Sequence, residues 1–123
     1  MKKTALCLLV CVIIIGCKPT QVADPVAAVL RTGRPTLVEF GAGTCMACVK
    51  MKPIITELQN EYKDRANVLL IDVNEYRDLT PKYKIMLIPT QVFFNHAGAE
   101  IYRHVGFFPK DSIMIFLKQA GLE

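Results

Sequence analysis

Two apolar runs separated by a stretch with helical periodicity constrain this chain most. Residues 35–40 (PTLVEF) and 68–73 (VLLIDV) are aliphatic and β-branched, and read as strands. Between them, from Cys45 to about Tyr62, apolar residues recur at helical spacing: Val49, Ile54, Ile55, Leu58 and Tyr62. Pro53 falls inside that stretch and should kink it. A strand, a helix and a second strand in this order demand parallel neighbours joined by a right-handed crossover. The second run has no polar alternation and carries an acid near its end. That pattern predicts a central strand buried on both faces.

The flanking segments complete the layout. Asp24-Pro25 before VAAVLR has the form of an N-cap, a proline at the first helical position and a short helix ending near Gly33. Residues 79–83 allow one or two helical turns. Residues 90–94 read as a strand, Asn95-His96-Ala97-Gly98 as a turn, and residues 100–105 as the returning hairpin strand. Residues 110–120 form a final amphipathic helix with Ile113, Phe116 and Leu117 inward. The expected fold class is α/β, a mixed four-stranded sheet with helices on both faces.

The first 17 residues, MKKTALCLLVCVIIIGC, do not belong to that domain. Lys2 and Lys3 precede a 13-residue apolar run from Thr4 to Gly16, the proportions of a secretory signal and short of the ~20 residues of a membrane span. Ile14-Ile15-Gly16-Cys17 resembles a bacterial lipobox, which implies lipid on Cys17 and an exported, membrane-anchored mature chain on the periplasmic side or the cell surface; an uncleaved signal anchor is the other reading. The organisation is thus a signal peptide over 1–16, a tether over 17–23 and one domain over 24–123. With 123 residues there is little room for a second folded unit. Without Lys2 and Lys3, 13 of the 15 Lys and Arg remain against 11 Asp and Glu, a balance that gives no reason to expect nucleic-acid binding.

The same division simplifies the cysteines. Of five, Cys7 and Cys11 leave with the signal and Cys17 is committed to lipid, so Cys45 and Cys48 remain. One local Cys-x-x-Cys pair restrains little of the unfolded chain, which argues for chemistry over stapling. From the residues alone the pair is a redox dithiol, a structural disulfide or half of a zinc site. The only histidines, His96 and His104, are spaced H-x7-H on the distant hairpin, looser than zinc knuckles use.

Several separated motifs, in order, resemble the thioredoxin superfamily over roughly residues 24–122. LVEFGAGTCMAC looks like its strand, loop and redox Cys-x-x-Cys; Pro53 stands where the family has a helix-kinking proline. IDVNE followed by PKYKIMLIPT looks like its strand, short helix and Ile-Pro-Thr loop, and VFFNHAGAEIYRHVGF like its last hairpin. The resemblance implies a cis bond before Pro89, with Ile88, Pro89 and Thr90 offering backbone to an extended client; without it, Pro89 is an ordinary turn proline. It also implies that Glu39, six residues before Cys45, is a buried acid able to take a proton from Cys48. A half-exposed glutamate at the strand end is the alternative, since strand phase is open. The family's lysine partner for that acid is replaced by Val68, and its tryptophans by Gly41 and Thr44, which predicts a thin apolar rim. Phe93, Phe94, Phe107 and Phe108 read as packing residues, and Arg103 and His104 as surface ones.

Two thiols at a helix start have distinct roles. The first meets the unsatisfied amides and positive dipole end, which favour thiolate, so Cys45 is the candidate nucleophile and Cys48 the resolving thiol. Neither Met46 nor Ala47 offers a side-chain hydrogen bond to Cys45, which points to a reducing couple. The leading expectation is a thiol-disulfide oxidoreductase acting on protein thiol and disulfide clients, with a membrane electron donor if it reduces, and without cofactor or metal. A disulfide-forming oxidase and a non-catalytic binding module are the other readings.

Overall fold

The computed structural model describes residues 23–123. The signal segment 1–16, Cys17 and the tether as far as residue 22 lie outside the described residues. The elements run α1 (Pro25–Leu30), β1 (Thr36–Gly41), α2 (Met46–Tyr62), β2 (Asn67–Asp72), α3 (Leu79–Lys82), β3 (Thr90–Phe94), β4 (Glu100–Val105) and α4 (Lys110–Gln119). Asp24 caps α1 by accepting from the Ala27 amide at 3.0 Å, with Pro25 in the first turn where its missing N–H is not needed. The same carboxylate accepts from Lys82 Nζ at 2.5 Å and from Tyr83 Oη at 2.9 Å, tying α1 to α3.

The strand order is β2-β1-β3-β4. β1 and β2 are parallel across the α2 crossover; β1–β3 and β3–β4 are antiparallel. The expected central strand is therefore corrected. β2 is an edge, and Leu70 on it is 39% exposed, whereas all six residues of β1 are buried. The crossover lays β2 outside β1, and the late hairpin fills β1's other side. The apolar run of β2 reflects packing of Val68 into one core and of Leu69 and Ile71 into the other, not strands on its two sides.

Alternation along β1 divides the core. Leu37 packs with Met51, Ile55, Leu58, Phe93, Ile113 and Leu117 beneath α2 and α4. Val38 and Phe40 pack on the opposite face with Val26, Ile71, Leu79, Val92 and Phe94. By the two-residue period Glu39 shares the face of Leu37 and looks toward α2. Helix α2 buries Cys48, Met51, Ile55 and Leu58, with Ile54 and Tyr62 partly buried against the same core. Val49, expected to point inward, is 50% exposed because the buried stripe runs one position earlier. Phe107, expected to pack, is 47% exposed, while Phe93, Phe94 and Phe108 are buried. Arg103 and His104 are half-buried: Arg103 pairs with Glu100 and His104 stacks on Phe108 with 4.0 Å between ring centroids.

Candidate redox site

Cys45 occupies the N-cap of α2, with extended backbone (φ −90°, ψ 119°), and its Sγ accepts from the Cys48 amide at 3.3 Å. A sulfur thus takes the place a Ser or Asp oxygen usually fills, and satisfies one of the helix's free N–H groups. Negative charge on that sulfur is favoured for the same reason. The thiol is held below the ordinary cysteine range, first by the hydrogen bond from the Cys48 thiol and then by the Cys48 and Ala47 amides. Cys45 is partly exposed; Cys48, one turn in, is buried. Burial pushes the Cys48 thiol up to about 11, with its donation to Cys45 adding to the shift. One helical turn therefore separates an accessible, acidic thiol from a covered, weakly acidic one.

Glu39 is fully buried, which decides between the two readings of its position. Desolvation pushes its carboxyl up to about 7, opposed by a hydrogen bond from Gln91 Nε2 to Oε2 at 3.2 Å. Its other oxygen, Oε1, is buried without a partner. A Cβ built on Gly41 would lie 3.3 Å from Cys48 Sγ and 3.9 Å from Glu39 Oε1. The absent side chain of Gly41 thus marks a gap bordered by both the acid and the thiol. Beside it a pocket of about 280 Å³ opens between the β1–α2 loop and β2, lined by Gly41, Cys48, Val49, Lys52, Leu70 and Asp72 among others.

The Ile88–Pro89 bond is cis, and the Ile88 carbonyl stands 3.8 Å from Cys45 Sγ. Thr90 Oγ1 donates to the Leu87 carbonyl at 2.6 Å, and the Gly106 amide to the Pro89 carbonyl at 2.8 Å, so two segments converge beside Cys45. Next to these positions in the chain, Met46, Leu87 and Phe107 are exposed and Met86 is 88% exposed. Among the described residues no group of three or more His, Cys, Asp or Glu side chains is placed to hold a metal, and His96 Nδ1 lies 2.9 Å from the Gly33 carbonyl. The residue that sequence reasoning missed is Gln91. Its sequence signal was one amide inside the apolar strand TQVFF, in phase with Phe93; the pairing with Glu39 is visible only in the strand register.

Comparison with known proteins agrees with this geometry. The sequence profile of the Thioredoxin family matches residues 20–119. The chain is 34% identical over 93 residues to Thioredoxin C-2 of Corynebacterium nephridii, covering 76% of this chain and 85% of that protein. It is 36% identical over 77 residues to the thioredoxin of Staphylococcus saprophyticus, covering 63% and 73% respectively. Among solved structures, chloroplastic thioredoxin z superposes with a TM-score of 0.67 at 29% identity, over 76% of this chain and 84% of that one. The pneumococcal exposed lipoprotein thioredoxin Etrx1 of Streptococcus pneumoniae gives 0.65 at 23% identity, over 76% and 89%, a likeness of fold. With a Cys-x-x-Cys at the start of α2 and relatives that are thioredoxins, this chain belongs to the thioredoxin family and is a thiol-disulfide oxidoreductase acting on protein thiols and disulfides.

Proposed function

We propose that this thioredoxin works outside the cytoplasm, tethered to a bacterial membrane by lipid on Cys17, and reduces client disulfides through Cys45, Cys48 and Glu39. The observation that carries the chemistry is the contrast within one helical turn: Cys45 Sγ under the Cys48 amide at the N-cap, and Cys48 buried beside a carboxylate with a free oxygen. The Cys45 thiolate attacks one sulfur of a client disulfide. An S–S bond forms between Cys45 and the client, the client's own S–S bond breaks, and the first client sulfur leaves as thiolate. Cys48 then loses its proton to Glu39 Oε1 and attacks Cys45 Sγ. The second client thiolate leaves and a Cys45–Cys48 disulfide closes, so the client gains the two electrons that the dithiol loses. A membrane electron donor restores the dithiol.

A carboxyl near 7 beside a thiol near 11 does not hold the thiolate at rest. It serves as acceptor during attack, when the bond to Cys45 is forming. Ile88 lends its backbone and Pro89 and Thr90 hold its segment, so that an extended client lies along it with its sulfur at Cys45. The reducing direction is supported by Met46 and Ala47, which leave only backbone amides and the Cys48 thiol to stabilise Cys45. The tether is supported by the Ile-Ile-Gly-Cys motif. An exposed lipoprotein thioredoxin also exists on the same fold. Client trapping tests the chemistry. Cys48→Ala should accumulate clients linked to Cys45 that reductant releases, while Cys45→Ala should trap almost none and lose reduction of insulin disulfides. Equal trapping by both variants, or by neither, would refute the assigned roles.

A further inference from the structure

A polar row crosses the α2 face of the sheet from the acid toward the client side. Register places Gln91 opposite Glu39 on one side and opposite His104 on the other. Gln91 is fully buried, and its amide has two N–H groups to satisfy. One donates to Glu39 Oε2 and the other to the Gly106 carbonyl, both at 3.2 Å. Gly106 in turn donates to the carbonyl of cis Pro89, whose neighbour Ile88 faces Cys45. A single amide therefore spans from the carboxylate to the segment that borders the cysteines. Its donors are fully used, while Gln91 Oε1 and Glu39 Oε1 stay buried and unpartnered.

We propose that Gln91 is a positioning residue of the exchange reaction: it holds Glu39 by Oε2 so that Oε1 is left free on the side of Cys48. Its second N–H fixes that arrangement to the Gly106 segment beside the cis proline. The proposal rests on Glu39 accepting the proton of Cys48. A donor on one oxygen stops the carboxyl from turning and favours its ionised form, the form able to take a proton. The groups around Glu39 that bear charge or titrate are Cys45, Cys48 and Lys52 from α2, Asp72 two positions past Leu70 on β2, and His104 beyond Gln91 on β4. None of them is hydrogen-bonded to Glu39; among the described residues Gln91 supplies the hydrogen bond that its carboxylate receives.

Gln91→Met removes both donors at similar volume and tests this directly. Reaction of the reduced protein with 5,5′-dithiobis(2-nitrobenzoate) releases one thionitrobenzoate on attack by Cys45 and a second on resolution by Cys48, and stopped flow separates the two phases. The pH midpoint of the second phase should rise by about one pH unit in Gln91→Met, the worth of one hydrogen bond to a charged group. In a Glu39→Gln background the same substitution should shift nothing further. The first phase should keep its midpoint, which general destabilisation would not achieve selectively. In the wild-type protein, NMR signals of the Gln91 side-chain amide should follow pH with the midpoint of the Glu39 carboxyl, a readout that needs no variant to fold. An unmoved second-phase midpoint, or amide signals indifferent to Glu39, would overturn the positioning role while leaving Glu39 in place. A second phase unaffected by Glu39→Gln would overturn the acid's role and the proposal with it.

Discussion

Glu39→Gln should stabilise the folded protein in alkaline solution and change little in acid. Burial raises the folded-state carboxyl from 4.5 to about 7. The unfolded chain has no such burial, so between those values the folded form keeps a proton that the unfolded form releases. Stability from this group is therefore full below the unfolded value and is lost as pH rises through about 7. A rise of about 2.5 pH units, at about 1.4 kcal/mol per unit, corresponds to about 3 kcal/mol. Glutamine has nearly the same shape and stays neutral. The variant should thus exceed the parent by about 3 kcal/mol at pH 8.5 and roughly match it at pH 4. With no tryptophan in the chain, urea unfolding of the reduced proteins is followed by far-ultraviolet circular dichroism. At a slope of about 2 kcal/mol per molar urea, the midpoints should differ by about 1.5 M at the alkaline end. The charge of Glu39 raises both thiols, so its loss moves the difference in the same direction, and titrating groups other than Glu39, Cys45 and Cys48 are common to both proteins and cancel. A pH-independent difference, or a variant weaker than the parent at pH 8.5, would refute the claim that Glu39 is buried without a charge partner.

Two further outcomes probe the geometry and the anchor. Gly41→Ala places a Cβ 3.3 Å from both Cβ and Sγ of Cys48, so it should cost about 1 kcal/mol in urea unfolding and slow the second thionitrobenzoate phase more than the first; equal slowing of both phases would contradict the placement. In the full chain made in a bacterium, Cys17 should carry added lipid mass and draw the protein into a detergent phase, and Cys17→Ser should lose both. Wild-type protein that stays aqueous with Cys17 unmodified would contradict the tether.

Local pattern made most elements legible, because each is marked by its own residues. Asp24-Pro25 opens α1, Gly41 to Gly43 breaks β1, Asn95 to Gly98 turns the hairpin, and each signal acts within a few positions. What was not legible is set across strands. Whether residues 67–72 lie in the middle or at the edge depends on where the hairpin 90–105 pairs, and nothing inside VLLIDV reports that. The phase of Glu39 is likewise open in PTLVEF, since every side chain of β1 is buried and no polar alternation marks a face. It becomes fixed only when Leu37 and Phe40 are seen in different cores. Gln91 escaped notice because its meaning lies in its register partner.

Alkylation of the two thiols across pH tests the division of labour between them most directly. The reduced protein is pulsed with iodoacetamide from pH 5 to pH 11 and the label is located by peptide mass. Cys45 should be modified first, with a midpoint below the ordinary thiol range, because its sulfur caps α2 and is reachable. Cys48 should stay unlabelled until the most alkaline pulses, in keeping with burial and a thiol near 11. Labelling of both cysteines in parallel with ordinary midpoints, or of Cys48 ahead of Cys45, would contradict the assignment of Cys45 as nucleophile and Cys48 as resolving thiol.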